Sequence, residues 1–447
     1  MGTGLGQYIP VVAYIGFWII CLISLTWRPL YGLYYLIPFV PYRSMRDHFN
    51  DYFLGENLLT ILVFCIIVGA LIRGKRPPPS LLYLTWFIIG LYLYFSMWIG
   101  TASGIAPPPL WLLDANFLTW KDYMLIPMIF LAAGLVIEDK KAVRMVIIIT
   151  GISILFIDRS AIRESLSHSW VTFDENKRNG GPLAFGSNQT AAYLAQSALF
   201  LWGFVQFAKE KWVKGLVYLL IAVTLFGTMY TFSRAGYLAV LVGILVLGCL
   251  KDRKLLVGLA LFLFTWQIIV PTAVKQRVEM TTDATGQLDT SAQDRVDLWK
   301  ESEAAFFHSP VFGTGFATFQ FIPHVHGLRD SHNWFVKVAE ETGVVGVFLT
   351  VILLGQLFVL SWRLYRRSDD PWYKGLGLGL FVALCVCMVA NCFGDRWTYI
   401  EITGPLWLLA GAAARSLQLT IAEASPVEPA SDSFPVLKTG SGVSVSV

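Results

Sequence analysis

His332 is the residue of this 447-residue chain whose type and setting best suit chemistry. It stands in the run Asp330-Ser331-His332-Asn333-Trp334, and a neutral imidazole can accept a proton from a hydroxyl nucleophile near pH 7. A simpler interpretation also fits, because Ser331 or Asp330 could cap a helix whose first turn holds His332. His332 is therefore a candidate general base, with a helix start as the alternative.

Arg234 lies in the sequence Thr231-Phe232-Ser233-Arg234-Ala235-Gly236, where nothing else separates two apolar runs. The sequence therefore predicts a very tight turn that holds this guanidinium at a membrane boundary. A guanidinium near hydrocarbon is costly and is usually retained for a partner. That partner is either a lipid phosphate or helix carbonyl reached by snorkelling, or a substrate phosphate that accepts from the fork of N–H donors.

Arg295 lies in a stretch that reads as an amphipathic helix, with Val296, Leu298 and Trp299 at apolar positions. The simplest interpretation of this stretch is a solvated helix face on which Arg295 stacks on Trp299 one turn later. A glycine-rich turn, GTGF at 313–316, follows and would allow close backbone approach.

Four more basic residues are predicted on the same side as these candidates. Arg159 and Arg163 follow the fifth apolar run, and Lys177 and Arg178 come shortly afterwards. They could guide an anionic substrate or bind sugars. Ordinary loop solubility, or pairing with the neighbouring Asp158 and Glu164, explains them equally well.

Metal chemistry has little support in the sequence. The pair His324 and His326 has a spacing that suits two strand-like ligands, but no third or fourth ligand is obvious. None of the six cysteines lies in the long polar segment, residues 274–343, so no zinc spacing is suggested. The sequence predicts neither a metal site nor a cofactor.

The elements that must position these residues are membrane helices. The composition is 55% hydrophobic and only 14% charged, whereas a soluble chain carries about 25% charged residues. Apolar runs recur that are long enough to cross a hydrocarbon core about 30 Å thick, and we predict an all-α polytopic membrane protein with about 12 spans. The predicted spans are residues 10–27, 56–73, 80–101, 121–137, 142–157, 190–208, 215–232, 235–250, 255–273, 344–361, 375–391 and 403–418.

Basic loops predict the orientation. The short loops rich in Lys and Arg all fall on one side of the membrane in the alternating count, and such loops stay in the cytoplasm. Both termini are then cytoplasmic, and the polar loop 274–343 between the ninth and tenth spans lies on the outer side. The other outer segments are 28–55, 102–120, 158–189 and 392–402.

We divide the chain into five regions. They are the N-terminal transmembrane helices 1–157, the central helices with outer arginine motifs 158–273, the outer loop domain 274–343, the C-terminal helices 344–418 and a disordered cytoplasmic tail 419–447. The tail is assigned from its Ser, Val, Pro and Gly composition and its lack of periodicity.

Taken together, the motifs resemble those of the O-antigen ligase and polymerase superfamily of bacterial envelope glycosyltransferases. The resemblance covers about residues 150–400 and depends on the order of the motifs and their placement on one membrane face. In chain order they are GGPLAFGSNQTAA at 180–192, SRAG at 233–236, Arg295 with Trp299, GTGF at 313–316, DSHNW at 330–334 and ETGVVG at 341–346.

The resemblance implies a GT-C-like enzyme that performs an inverting, metal-independent transfer. A glycan would move from an undecaprenyl pyrophosphate carrier to an acceptor hydroxyl at the periplasmic face of a bacterial inner membrane, where the loop domain 274–343 would then lie. Carried across by motif, Arg234 and Arg295 would hold the pyrophosphate and His332 would activate the acceptor. Asn333 would orient the imidazole or a sugar, and Trp334 could stack on a sugar.

The sequence leaves the acceptor open among a glycolipid such as lipid A core, a glycan and a protein. The chain could therefore be a ligase, a polysaccharide polymerase or a protein O-oligosaccharyltransferase; membrane lipids are further partners, and nucleic acid is not. A polysaccharide or lipid transporter is the alternative of another class. It predicts mid-membrane ionisable residues and symmetry-related broken helices, whereas polar groups here gather on one face.

Overall fold

The computed structural model of the chain is a bundle of α-helices. It describes residues 8–167, 169–174, 178, 180–183, 186–280, 290–327 and 331–424, and no β-strand occurs among them. Sixteen α-helices, named α1 to α16, lie in these ranges. They are Ile9–Thr26, Pro29–Phe39, Arg43–Asp47, Leu58–Ile72, Leu82–Ala102, Ala115–Val136, Lys140–Ser165, Ser187–Val205, Lys211–Met229, Arg234–Leu250, Lys254–Ile269, Thr272–Glu279, Thr290–His308, Trp334–Arg367, Pro371–Asn391 and Ile400–Ala424.

Eight of the described helices are long and apolar enough to cross a membrane, and the pair α11 and α12, bent by 106°, would make a ninth if it forms one span. Every predicted span overlaps at least one helix. Helices α8, α10 and α16, however, are not both long and apolar enough to count as membrane-spanning helices. The physical reason in α8 and α16 is burial, because small and polar side chains replace lipid-facing ones inside a bundle. The all-helical membrane fold is confirmed with eight or nine spans, and the figure of about 12 stays a prediction.

The C-terminal boundary differs from the sequence prediction. The tail was expected to begin at residue 419, but α16 continues through Ala424. The helix extends further because residues 419–424 contain neither glycine nor proline, the residues that most disfavour a helix interior. Residues 425–447 lie outside the described ranges.

Helices α8 and α10 run parallel and in close contact. A Cβ added at Gly236 would lie 2.7 Å from the Ala191 side chain, and one added at Gly243 would lie 2.7 Å from the Leu199 side chain. Both contacts advance along the two helices in the same direction. Small residues at these positions let the backbones approach, as is common in membrane bundles.

Helix α15 runs antiparallel to α8. A Cβ added at Gly375 would lie 2.8 Å from the carbonyl oxygen of Phe204, and Gly379 lies against Phe200 in the same way. Helix α14 precedes α15 after a three-residue connection and packs against it. The N-terminal ends of α8, α10 and α14 therefore lie at one end of the bundle, named here the His332 end.

Helix α14 breaks at Gly343, whose φ of 60° and ψ of −166° are not helical. The segment that follows α13 supplies the missing backbone partners. The N–H of Val344 donates to the carbonyl oxygen of Pro310 at 2.8 Å, and the N–H of Gly315 donates to the carbonyl oxygen of Glu341 at 2.9 Å. The break is thus a fixed feature whose backbone groups are hydrogen-bonded.

Two glycines make this contact possible. A Cβ added at Gly313 would lie 2.5 Å from the carbonyl oxygen of Glu340, and one added at Gly343 would lie 2.6 Å from the backbone nitrogen of Phe312. Both glycines also have positive φ, which favours glycine. The GTGF and ETGVVG motifs are therefore two halves of one backbone contact, which sets the direction of the first turns of α14.

Candidate active site

Arg234 is the first residue of α10, directly after a turn that begins where α9 ends at Met229. The N-cap is Ser233, whose Oγ accepts the N–H of Gly236 at 3.3 Å. These contacts confirm the tight turn predicted from the sequence. Nη1 of Arg234 donates to the carbonyl oxygen of Met280 at 3.3 Å, so one of its five N–H donors reaches the residue that follows α12.

Two more arginines bind the same turn. Arg178 donates from Nε to the carbonyl oxygen of Thr231 at 3.3 Å and from Nη2 to Oδ1 of Asn188 at 2.9 Å. Arg277 donates from Nε to the carbonyl oxygen of Phe232 at 3.3 Å. Both side chains therefore hold the backbone that precedes α10, and Asn188 ties the GSNQT segment to it.

Arg178, Arg234 and Arg277 together are named the arginine cluster. Arg277 was not among the predicted site residues, because one basic residue in a predicted loop carries no signal. A helical pattern could have found it: Ala273, Val274 and Arg277 are the buried residues of α12 and share one face.

The base of the turn is apolar. Tyr230 and Phe232 are buried and pack with Ala273 and Val274 of α12. The turn therefore combines a packed apolar base with the cationic arginine cluster.

Two of the other predicted basic residues, Arg159 and Arg163, lie on α7. Arg159 and Arg163 are exposed on the face of α7 that also carries the exposed Leu155 and Phe156. An apolar exposed face in a membrane bundle contacts lipid, so these guanidiniums continue a lipid-facing stripe toward the end of α7. Lys177 lies outside the described residues.

The two carboxylates beside these arginines have other partners. Asp158 is buried, and its Oδ2 accepts the hydroxyl of Thr224 at 2.6 Å. The two oxygens of Glu164 accept the N–H groups of Gly180 and Gly181, at 2.9 Å each. Glu164 thus fixes the segment that leads to α8, which the alternative of local pairing did not anticipate.

The amphipathic helix predicted around Arg295 is α13, in which Leu298 is fully buried. Nε1 of Trp299 donates to the carbonyl oxygen of Ser331 at 3.0 Å. Arg295 precedes Trp299 by one helical turn and shares its face. The structure therefore brings the segment of α13 that carries Arg295 to the backbone next to His332.

Helix α14 does not begin where the alternative interpretation of residues 330–334 predicted. The N-cap is Asn333, whose Oδ1 accepts the N–H groups of Phe335 and Val336 at 3.0 and 3.3 Å. Capping by Asp330 or Ser331 is therefore wrong, because the helix begins two residues later than a Ser331 cap requires. Ser331 instead donates its hydroxyl to the carbonyl oxygen of Asn333 at 2.8 Å.

His332 lies outside the helix and has a φ of 53°. A non-glycine residue in this left-handed region is uncommon and costs about 1–3 kcal/mol, and such residues cluster at functional sites. Because Oδ1 of Asn333 caps the helix, only its amide nitrogen is left for the predicted orienting role. Trp334 is 2% exposed and packs against Trp397, with ring centroids 5.2 Å apart, so its sugar-stacking role stays a prediction.

His324 has a structural role. Its Nδ1 lies 3.1 Å from Oε2 of Glu301, its Nε2 lies 3.1 Å from the carbonyl oxygen of Phe319, and its ring stacks on that of Phe319. The His326 side chain lies outside the described residues. Among the described residues, no three His, Cys, Asp or Glu side chains are grouped as metal ligands would be.

The arginine cluster and His332 lie at the same end of the bundle, since α10 begins at Arg234 and α14 follows His332 directly. The hydrogen bonds at this end form two groups. One group lies around the α9–α10 turn, and the other joins α13 to the start of α14. Residues 281–289, which connect the two groups along the chain, lie outside the described ranges.

The fold and the site define a helical bundle with membrane-spanning helices. An arginine-rich turn and a strained histidine lie at one end of this bundle. Residues 219–351 match the family model described as O-antigen ligase. The chain is therefore a multi-span membrane protein whose residues 219–351 form an O-antigen ligase domain. The family of this domain consists of glycosyltransferase-like enzymes, and the resemblance seen in the motifs is confirmed over these residues. A comparison with curated proteins gives no match.

The matched region contains Arg234, Arg277, Arg295 and His332 and extends past the break in α14. The four basic residues predicted between positions 159 and 178 precede it. The family match thus covers the turn of the arginine cluster and the contact between α13 and α14, and it leaves the upstream residues to be judged from their own contacts.

Proposed function

We propose that this chain is an inverting, metal-independent glycosyltransferase of GT-C-like architecture. It moves a glycan from undecaprenyl pyrophosphate to an acceptor hydroxyl at the periplasmic face of the inner membrane. The observation that carries the proposal is the hydrogen bond from Trp299 to the carbonyl oxygen of Ser331, within the region that matches the family. This hydrogen bond joins α13, which carries the guanidinium of Arg295, to the backbone next to His332, the proposed base.

The proposed reaction is a direct displacement. The acceptor oxygen attacks the anomeric carbon, and the bond from that carbon to the pyrophosphate oxygen breaks. The leaving pyrophosphate takes the electron pair, and the proton of the acceptor hydroxyl passes to His332. Attack in line with the leaving group inverts the configuration, and a positioned base typically contributes about 10²–10⁴-fold to the rate.

The leaving group needs cations because charge develops on the pyrophosphate as the bond breaks. Arg234 and Arg295 are proposed as its clamp, since a guanidinium presents paired N–H donors that match phosphate oxygens. Loss of one preorganised donor of this kind typically costs about 10²–10³-fold.

Arg178 and Arg277 are proposed as positioning residues because their Nε atoms bind turn carbonyls. Their charge also favours an anionic carrier near the turn. Arg159 and Arg163 extend a lipid-facing stripe, which suits contact with the phosphates of lipids or of the carrier. For Lys177 the proposal stays that of the sequence, a role in guiding the carrier.

The experiment that tests this function is transfer in vitro with the full chain in lipid nanodiscs. The donor is undecaprenyl pyrophosphate carrying a glycan, and the acceptors are lipid A core, a protein and a glycan, offered in turn with EDTA present. We expect transfer to one acceptor with inversion at the anomeric carbon, read by NMR. Absence of transfer to every acceptor, retention of configuration, or loss of transfer in EDTA would refute the proposal.

A further inference from the structure

Two cavities open beside each other at the His332 end and share Asp122 and Thr398 in their walls. The first, about 260 Å³, lies among α5, α6, α14 and the segment before α16. The second, about 310 Å³, lies among α3, the segment before α4 and the same segment before α16. The two cavities are adjacent through a common wall and are together named the outer groove.

The outer groove begins next to the candidate base. Trp334 and Lys337, in the first turns of α14, line the first cavity. His332 precedes Trp334 by two residues, a separation of at most about 7 Å along the chain. A molecule in the groove could therefore present a hydroxyl group close to His332, on a path separate from the turn that carries the arginine cluster.

Among the described residues, each cation that lines the groove is already paired with a carboxylate of the groove wall. The pairs are Lys337 with Asp395 at 3.0 Å, Arg43 with Asp47 at 3.5 Å, and Arg46 with Glu401. A phosphorylated ligand would have to compete with these carboxylates for each cation, so the groove wall disfavours phosphate.

Three further carboxyl groups line the groove. Glu341 is buried and accepts the N–H of Phe319 at 3.1 Å. Glu56 is exposed, and the Asp122 side chain is 66% exposed and forms an ion pair of 3.2 Å with Lys121, a residue that lines neither cavity. Accessible carboxylates accept hydrogen bonds from hydroxyl groups, which sugars carry in number, and they repel phosphate.

We infer that the outer groove binds the acceptor and that this acceptor is a sugar chain without phosphate groups. The inference rests on the proposed glycosyl transfer. It favours extension of an unphosphorylated glycan over transfer to a phosphate-bearing lipid A core. The two substrates are then separated by charge: the arginine cluster attracts the diphosphate of the carrier, and the carboxylates of the groove exclude it.

The test uses the full chain in lipid nanodiscs without any donor, so that it measures binding and not transfer. The probes are a core oligosaccharide that carries phosphate groups and the same oligosaccharide after enzymatic dephosphorylation. Both are titrated by isothermal calorimetry. We expect the dephosphorylated probe to bind about tenfold more tightly, because charge-assisted hydrogen bonds to the groove carboxylates are retained and the repulsion is lost.

Two variants connect this preference to the groove. Asp122→Asn and Glu56→Gln are each expected to weaken binding of the dephosphorylated probe about tenfold, the effect of one charge-assisted hydrogen bond. Both should also narrow the difference between the two probes. Asp51→Asn is the matched control, because Asp51 is exposed nearby but lines neither cavity, and it should leave both affinities unchanged.

Equal or tighter binding of the phosphorylated probe would overturn the inference, and so would no binding of either probe. An effect of Asp51→Asn as large as that of the groove variants would overturn it as well. Because no donor is present, these outcomes leave the proposed transfer reaction untouched. Absence of transfer to every acceptor, with binding as expected here, would instead refute the reaction and leave the groove as a glycan site.

Discussion

The indole N–H of Trp299 donates a hydrogen bond of 3.0 Å to the carbonyl oxygen of Ser331, 32 positions later in the chain. The accepting carbonyl belongs to the peptide unit between Ser331 and His332. The backbone of His332 is strained, with a φ of 53°. A residue in such a conformation persists only where its surroundings determine it. Trp299 is therefore a positioning residue for His332, one helical turn after Arg295.

Replacement Trp299→Phe tests this relationship, since it removes the indole donor and keeps an aromatic ring in the same place. One lost hydrogen bond is worth about 1 kcal/mol, or roughly fivefold. We expect kcat for glycan transfer to fall by about this factor, while KM for the carrier-linked donor stays unchanged. Trp212→Phe is the control, because Trp212 is exposed and lies at the end of α9 away from the α9–α10 turn. A change in donor KM alone would argue against the positioning role.

The interlocked glycines give a second prediction. Gly343→Ala places a Cβ 2.6 Å from the backbone nitrogen of Phe312 at a residue with positive φ, so α14 must shift or the strain must be stored. We expect transfer activity to fall at least about tenfold, with a loss of stability of about 1–3 kcal/mol, measured by thermal denaturation in detergent.

The same helix offers the control. Gly355 lies in α14 with nothing within 4 Å of an added Cβ, and alanine is the better helix former. Gly355→Ala should therefore retain wild-type activity and stability. Wild-type transfer by Gly343→Ala would show that the break in α14 does not set the position of the site.

Some of this architecture follows from local sequence alone. Each apolar run predicted as a span corresponds to a helix, and the tight turn at Arg234 and the amphipathic α13 are as predicted. These features depend on side chains a few positions apart, so hydrophobic periodicity and turn length reveal them. The difference in span count arises because burial in the bundle permits less apolar helices, such as α8.

Other features depend on contacts between distant segments. The bond from Trp299 to Ser331, the contact of Gly313 with α14 and the hold of Arg277 on Phe232 each join residues more than 25 positions apart. No local pattern encodes such partners. The capping of α14 by Asn333 was missed for a different reason, because three neighbouring residues all have side chains that can cap a helix.

The proposed diphosphate clamp makes a prediction for Arg234 and Arg295. Arg234→Ala and Arg295→Ala are each expected to reduce transfer by about 10²–10³-fold or more without blocking membrane insertion. Arg295→Lys should recover only part of the loss, because an ammonium lacks the fork of paired donors. Transfer is measured with carrier-linked glycan, and insertion is measured by membrane fractionation. Arg253→Ala, an exposed residue between α10 and α11 at the opposite end, should be silent.

Arg178 and Asn188 should act as a unit in holding the turn, since Nη2 of Arg178 donates to Oδ1 of Asn188 at 2.9 Å. We expect Arg178→Ala and Asn188→Ala each to raise donor KM about fivefold to tenfold, and the double variant to be less than additive by about 0.5–1 kcal/mol. A double-mutant cycle on kcat/KM measures this coupling. Strict additivity would mean that Arg178 acts independently of Asn188.

The measurement that tests the central claim most directly is single-turnover release of undecaprenyl pyrophosphate from a carrier-linked glycan in the presence of acceptor. It compares the wild-type chain with His332→Ala and with His308→Ala, an exposed histidine at the end of α13. If His332 is the general base, its loss slows release by about 10²–10⁴-fold, leaves donor binding intact, and has no counterpart in His308→Ala. Release at the wild-type rate by His332→Ala would contradict the account.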